Sequence, residues 1–483
     1  MASSNNGGTN EILVEETGSV RTFILNRPKM LNALSSQMIH RLTELFYASE
    51  EDPNVKMIIL KGQGRAFCVG GDLSLILPSL RNWKIGANFF LKQYTLNYVM
   101  ATYSKTQVSI LNGIVMGGGA GASIHGRFRV ATEKSVFAMP ETVLGHFPDV
   151  GASYFLSRLP GFFGEYAGLT GSRLDGAEML ACGLATHFVS SDVYSPSLIF
   201  SLFFPFTIAS IGNQKLPLLE QALVQVNSSD PDAISAIISC FSHTPNLKEE
   251  SPYHKMKIIN HCFSRRTIEE IISTLESEAL DKKDEWISST IQSLKKASPT
   301  SLKISLRSVS QSIPCDTITL SPKLLLIRNW SCRMKYGKRY LAWFDIGSIA
   351  GDTSSSNKNM MKSCSQPHLE SLSARSYCLD LATTFLESSS IREGRLQSVG
   401  SCLVREYRMA CHVFRGEFSK DLFEGHRAIL IDRDRNPKWE PSKLELIRDD
   451  DVDRYFSKVD DEDWEDLKLP PRSNLPQYAI AKL

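Results

Sequence analysis

At 483 residues and 42% hydrophobic, the chain has apolar material for one large core or two smaller ones. Its 54 Lys and Arg nearly balance 52 Asp and Glu, so no overall field draws it onto nucleic acid or anionic lipid. The ten cysteines are scattered without a C-x-x-C pair, which leads us to expect reduced thiols in an intracellular protein.

Residues 1–10 are polar and Gly-rich, with neither a secretory apolar run nor an Arg-rich transit pattern, and read as a disordered lead. Ile12 to Val14 and Val20 to Leu25, around Gly18, predict a hairpin. Ser35 can cap a helix with Met38, Leu42, Leu45 and Phe46 on one face. Val55 to Leu60 reads as a buried strand followed by a Gly-rich loop, Gly62 to Asp72. Gln107 to Leu111 is another strand, leading into Gly117-Gly118-Gly119 and a helix of small residues. Phe128 to Ala131 is strand-like, and Phe137 to Asp149 is a loop carrying two acids. Strands alternating with helices indicate an α/β core over 11–192.

Val193 to Gln214 then contains no charged residue and reads as an apolar insertion. Residues 215–308 form a helical region, with helices predicted at Leu216 to Val226, Thr267 to Leu280 and Trp286 to Ala297. Residues 309–390 are Ser-rich and irregular, with four of the ten cysteines, and read as a second insertion. Residues 391–483 are a C-terminal helical region with a helix at Val404 to Phe414. The acidic stretch Asp449 to Asp466 reads as a solvated segment. Pro205 and several serines argue against a membrane span at Val193 to Gln214.

Three motifs could carry chemistry. Arg65 to Asp72 (RAFCVGGD) places two glycines after a strand, where backbone N–H groups can approach a ligand; a tight turn explains them as well. Asn112 to Gly121 (NGIVMGGGAG) opens a helix on three glycines, which suits an anion or close helix packing. Its match to a dinucleotide fingerprint is loose and falls mid-chain. Met139-Pro140-Glu141 and Phe147-Pro148-Asp149-Val150-Gly151 set two carboxylates eight residues apart, able to act as base and acid or as nucleophile and base; taken alone, surface or N-cap acids explain them at least as well. His146 lies between them and reads as a partly exposed loop residue. No G-x-S-x-G elbow, P-loop or H-E-x-x-H occurs, and the histidines lack ligand spacing, so no metal site is expected.

In order, NRPKMLNAL (Asn26 to Leu34), AFCVGGD, NGIVMGGGAG, FAMPET and FPDVGASYFLSRLPG resemble the crotonase superfamily. FSRRTIEEIISTLE, SPTSLKISLRS and REYRMACHVFRGEFSKDLFEGHRAILIDRDRNPKWEP resemble its 3-hydroxyisobutyryl-CoA hydrolase branch, in the plant peroxisomal form. The resemblance implies an α/β spiral of ββα units with a mainly helical C-terminal region. It also implies an acyl-CoA substrate, with no metal or redox cofactor beyond the CoA the substrate carries, and the hydrolysis of 3-hydroxyisobutyryl-CoA in valine breakdown. A thioester carbonyl would be held by the backbone N–H groups of Gly71 and Gly118, an oxyanion hole. Gly117 and Gln93 complete the implied substrate-binding set with Gly118, Glu141 and Asp149. Glu141 would attack the thioester or activate water, with Asp149 orienting the substrate hydroxyl or the water.

Hydratases of this superfamily carry a glutamate where this chain has Gly121, which argues against hydration. Gln93 stands where the branch often has glutamate, and His146 where it usually has an apolar residue. Removing Val193 to Gln214 and Val309 to Ser390 restores a continuous branch-like sequence, so both read as extra segments and not as functional domains. Ala481-Lys482-Leu483 is a close variant of the S-K-L signal and predicts a peroxisomal import receptor as partner; cytoplasmic or mitochondrial residence are the alternatives. An enoyl-CoA hydratase or isomerase, and a non-catalytic scaffold of the same fold, are the competing functions. The sequence leaves the oligomeric state open.

Overall fold

A computed structural model describes residues 10–191, 215–281, 283–310 and 397–472. Residues 1–9 of the lead, the whole of 193–214, 311–396 and the terminal tripeptide lie outside the described residues. Ten strands come in pairs along the chain: β1 Ile12–Thr17, β2 Val20–Leu25, β3 Met57–Gly62, β4 Ala66–Cys68, β5 Thr106–Leu111, β6 Ile114–Met116, β7 Phe128–Ala131, β8 Val136–Ala138, β9 Leu174–Asp175 and β10 His187–Phe188. The first strand of each central pair joins a six-stranded sheet, β1-β2-β3-β5-β7-β10, and the second joins a four-stranded one, β4-β6-β8-β9. Apart from the β1-β2 hairpin and the β8-β9 edge, pairing is parallel. Each ββα turn therefore stacks on the one before it, which is the expected spiral.

Helices close the turns: α1 Ser36–Glu51, α2 Ile76–Ser79, α3 Trp83–Ala101, α4 Gly118–Ile124, α5 Ala152–Phe155, α6 Phe163–Thr170 and α7 Gly176–Cys182. Ser35 caps α1 as predicted, its Oγ accepting from the Met38 N–H at 3.0 Å. Met57-Ile58-Ile59-Leu60 is buried throughout because β3 is covered on both faces. Ile58 and Leu60 join the main core, while Met57 and Ile59 point to the opposite face. There α8 (Lys215–Gln225) and α9 (Pro231–Phe241) cover them with Leu219, Leu223, Ile234 and Ile238.

The helical region continues through α10 (Met256–Phe263), α11 (Ile268–Asp281), α12 (Glu285–Lys296) and α13 (Pro299–Ser310). Helix α13 runs two residues past the expected boundary at 308, with Val309 buried, so the second insertion cannot begin before 311. In the C-terminal region α14 (Val399–Arg415) packs along α3, Gly86 and Gly400 admitting Phe414 and Tyr98 at contact distance. After α15 (Asp421–His426) and a short π-helical turn, Arg427–Ile431, the chain is largely irregular.

The acidic stretch is largely exposed, as expected of a solvated segment, but it is docked on the folded body. Its carboxylates pair with cations of the folded body, Arg307 with Asp453 at 2.8 Å and Lys84 with Asp461 at 3.0 Å, and Arg408 with Asp466. Val452 and Val459 bury their side chains beneath them.

Candidate active site

The spiral brings the three motifs to one cleft of about 780 Å³, lined by Gly71, Gly117, Gly118, Gln93, Glu141 and Asp149 among others. The Asn26 to Leu34 motif sets the first glycine loop. The Asn32 side chain accepts from the Arg27 N–H at 2.8 Å and donates to the Ala66 carbonyl at 2.8 Å, while Arg27 ion-pairs with Asp72 at 3.0 Å. Leu34 bridges the loop, donating to the Gly70 carbonyl at 2.8 Å and accepting from the Asp72 N–H at 2.9 Å. That pattern turns the Gly71 N–H away from Leu34. Gly118 is the first residue of α4, so its N–H has no acceptor within the helix. The two glycines adjoin: a Cβ at Gly118 would lie 3.0 Å from the Gly71 nitrogen and 2.4 Å from Gln93 Nε2. Gly117, at φ +47° and ψ −121°, takes a backbone conformation that a side chain disfavours, and it lies against Glu141.

The acids line the same cleft, with Glu141 beside Gly117. Glu141 opens a 3-10 turn, Glu141–Leu144, and the His146 N–H closes the loop onto its carbonyl at 3.0 Å. Its carboxyl is buried, with Oε2 lacking a protein partner. Burial, and then the charge of Asp149, hold the Glu141 pKa well above the ordinary carboxylate range. Asp149 is also buried, which raises its pKa to about 8. The Tyr94 hydroxyl donates to Asp149 Oδ2 at 2.7 Å and works the other way, favouring the ionised form.

What holds Asp149 in place is a residue that sequence reasoning quoted only inside a motif. Glu406 on α14 accepts from the Gly151 N–H at 2.6 Å, the Ser153 N–H at 2.9 Å and the Ser153 hydroxyl at 2.6 Å. His125 hydrogen-bonds the Val150 carbonyl at 2.8 Å through Nε2. Between these anchors Val150 is left-handed, at φ +57°, a rare and strained state for a β-branched residue. Strain there persists because the partners on both sides fix it.

His146 differs from expectation: it is buried, not partly exposed, at 6% accessibility. Phe90 of α3 and the neighbouring Phe147 enclose its ring, at centroid distances of 5.5 and 4.4 Å, and Phe414 of α14 packs behind Phe90. All six proposed site residues line the cleft, and Tyr94 and Glu406, outside its lining, support Asp149 and its loop. Among the described residues no group of three or more His, Cys, Asp or Glu could hold a metal ion, and no helix is long and apolar enough to cross a membrane. The six described cysteines are free thiols.

The enoyl-CoA hydratase/isomerase family model matches residues 20–199, 204–320 and 345–456. The chain belongs to this family. Within the crotonase superfamily it falls in the 3-hydroxyisobutyryl-CoA hydrolase branch. It is 52% identical to 3-hydroxyisobutyryl-CoA hydrolase 1 of Arabidopsis thaliana, over 98% of each chain. It is 51% identical, over 98% of each, to the probable 3-hydroxyisobutyryl-CoA hydrolase 3 of the same plant. A crystal structure of a carnitinyl-CoA dehydratase from Mycobacterium thermoresistibile superposes with a TM-score of 0.67 at 26% identity, covering 96% of this chain and all of that one. Against this family background Gly121 acquires a steric reason. A Cβ at this position would lie 2.5 Å from the Val150 Cβ, so the strained valine occupies the space that a longer side chain would need.

Proposed function

We propose that the protein hydrolyses 3-hydroxyisobutyryl-CoA to the free hydroxy acid and coenzyme A, a step of valine breakdown. The observation that carries this reading is the buried Glu141–Asp149 pair facing two adjacent glycine amides, in a chain about half identical to hydrolases named for that substrate. The Gly71 and Gly118 N–H groups hold the thioester oxygen and stabilise the negative charge that develops on it, with Gly117 and Gln93 shaping the same wall. Ionised Glu141 then acts by one of two routes. In one it attacks the thioester carbon and expels the CoA thiolate, leaving a mixed anhydride that water hydrolyses. In the other it takes a proton from the water that attacks. Asp149 orients the substrate hydroxyl or that water, fixed by Tyr94. Water is the only co-reactant either route consumes.

Thiol release from 3-hydroxyisobutyryl-CoA tests the reading, with crotonyl-CoA as the control for hydration. Rapid CoA release with no hydration of crotonyl-CoA supports it; the converse contradicts it. We also propose peroxisomal import, which the similarity of Ala481-Lys482-Leu483 to S-K-L supports. A tagged protein that stays punctate after these three residues are deleted would refute the import signal.

A further inference from the structure

His146 is a buried polar side chain that the fold leaves without a partner. Both ring nitrogens are sealed from solvent and make no hydrogen bond, although the ring lines the cleft beside the acids. Burial lowers its pKa to about 3, so it is neutral at any working pH, with one N–H to donate and one bare nitrogen to accept. Leaving such a group unpaired in a dry site is unfavourable, and a ligand that pairs it recovers the loss.

Its nearest polar neighbour indicates which ligand. His146 Nε2 lies 4.0 Å from Asp149 Oδ2, too far for a direct hydrogen bond. One oxygen placed between them, at about 2.8 Å from each, would subtend an angle of roughly 90°, within reach of a hydroxyl. That oxygen can accept from His146 and exchange a hydrogen bond with the Asp149 carboxyl in either protonation state, because a hydroxyl both donates and accepts. A carboxylate ligand would set a negative charge in a dry site beside Asp149 and Glu141, where burial already disfavours charge.

We infer that His146 is a specificity-determining residue that, with Asp149, clasps the hydroxyl of a hydroxyacyl-CoA. This rests on the proposed function and narrows it, because it assigns Asp149 to the substrate hydroxyl and not to the attacking water. A site built to pair a hydroxyl discriminates against the analogue that lacks one.

The test compares kcat/KM for 3-hydroxyisobutyryl-CoA and isobutyryl-CoA in the full chain and in H146L and H146Q. Leucine is apolar, as the resembling branch usually is at this position, and glutamine restores a donor and an acceptor. The ratio of the two kcat/KM values should fall by about tenfold or more in H146L, and H146Q should keep most of it. Should H146L not fold, H146M puts the same question. An unchanged ratio in the apolar variant, or an equal loss on both thioesters, overturns the inference while leaving the hydrolase reading intact. A wild-type chain that cleaves neither thioester overturns both.

Discussion

The glycine wall of the cleft, residues 70–71 and 117–118, and the acid wall, residues 139–153, are held in different ways. The glycine wall is made of backbone and fixed by backbone: Leu34 clasps Gly70 and Asp72, and α4 begins at Gly118. Its constraints lie between Leu34 and Ala138, whose carbonyl accepts from the Gly117 N–H at 3.3 Å, inside short motifs and neighbouring strands. The acid wall is made of side chains in a dry interior, and its loop is strained at Val150 and held by Glu406, more than 250 positions away. The first wall is rigid because backbone hydrogen bonds from nearby strands and turns fix it, without a distant side chain. The second must keep two carboxyls away from water, and it needs a third buried acid to do so.

The largest effect should come from the acid wall's reacting group. Glu141→Gln keeps the shape but can neither attack nor accept a proton, so turnover should drop by about a thousandfold or more while substrate still binds, as calorimetry would report. Near-normal kcat would remove Glu141 from the mechanism. On the glycine wall, Gly118→Ala drives a methyl into Gln93 and the Gly71 amide. A fall in kcat of about 10²- to 10³-fold is expected, the usual size for a lost oxyanion donor, with little change in stability.

Glu406→Ala should show the opposite balance, because it leaves three donors unpaired and frees the strained loop. Urea unfolding should register a loss on the order of 3 kcal/mol, with activity reduced less than in Glu141→Gln. If Glu406→Ala were as stable as the parent, the acid wall would not depend on α14.

A subtler separation comes from pH. Glu141 must be ionised to act and its pKa is raised, so kcat/KM should fall as pH falls through a value well above 4.5. Asp149→Asn removes a charge that raises that pKa, so the residual activity should extend to lower pH. Stability runs the other way. Asp149 holds its proton more tightly folded than unfolded, so its contribution is complete below about 4 and lost as pH rises through about 8.

The smallest change is expected from removing 193–214 together with 311–390. Arg405 already joins the two sides of the second stretch, donating to the Ser308 carbonyl and to Gln397 Oε1, both at 2.8 Å. We propose that the shortened chain keeps full activity and gains solubility; a shortened chain that fails to fold would contradict this.

The contrast between the walls also explains what could be read in advance. The spiral, the Ser35 cap and the glycine loops carry local signals: an apolar run, an N-cap residue, glycines where a Cβ has no room. Helix α3 has only a weak local signal, although Asn82 caps it, because apolar residues surround it on most sides and blur its period. The burial of His146 has no local signal because part of its cover is Phe90 of α3, which Phe414 of the remote α14 backs. Glu406 has no local signal at all: a glutamate in an amphipathic helix is usually solvated, and only the fold brings it to Gly151. Gly121 could be read as a missing glutamate, but its steric reason required Val150 in place.

The central claim is that this cleft hydrolyses a hydroxyacyl thioester. It is tested most directly by following free thiol from 3-hydroxyisobutyryl-CoA and isobutyryl-CoA side by side with the purified full chain. Release should be far faster from the hydroxylated thioester. Equal rates on both, or no thiol from either, would contradict it.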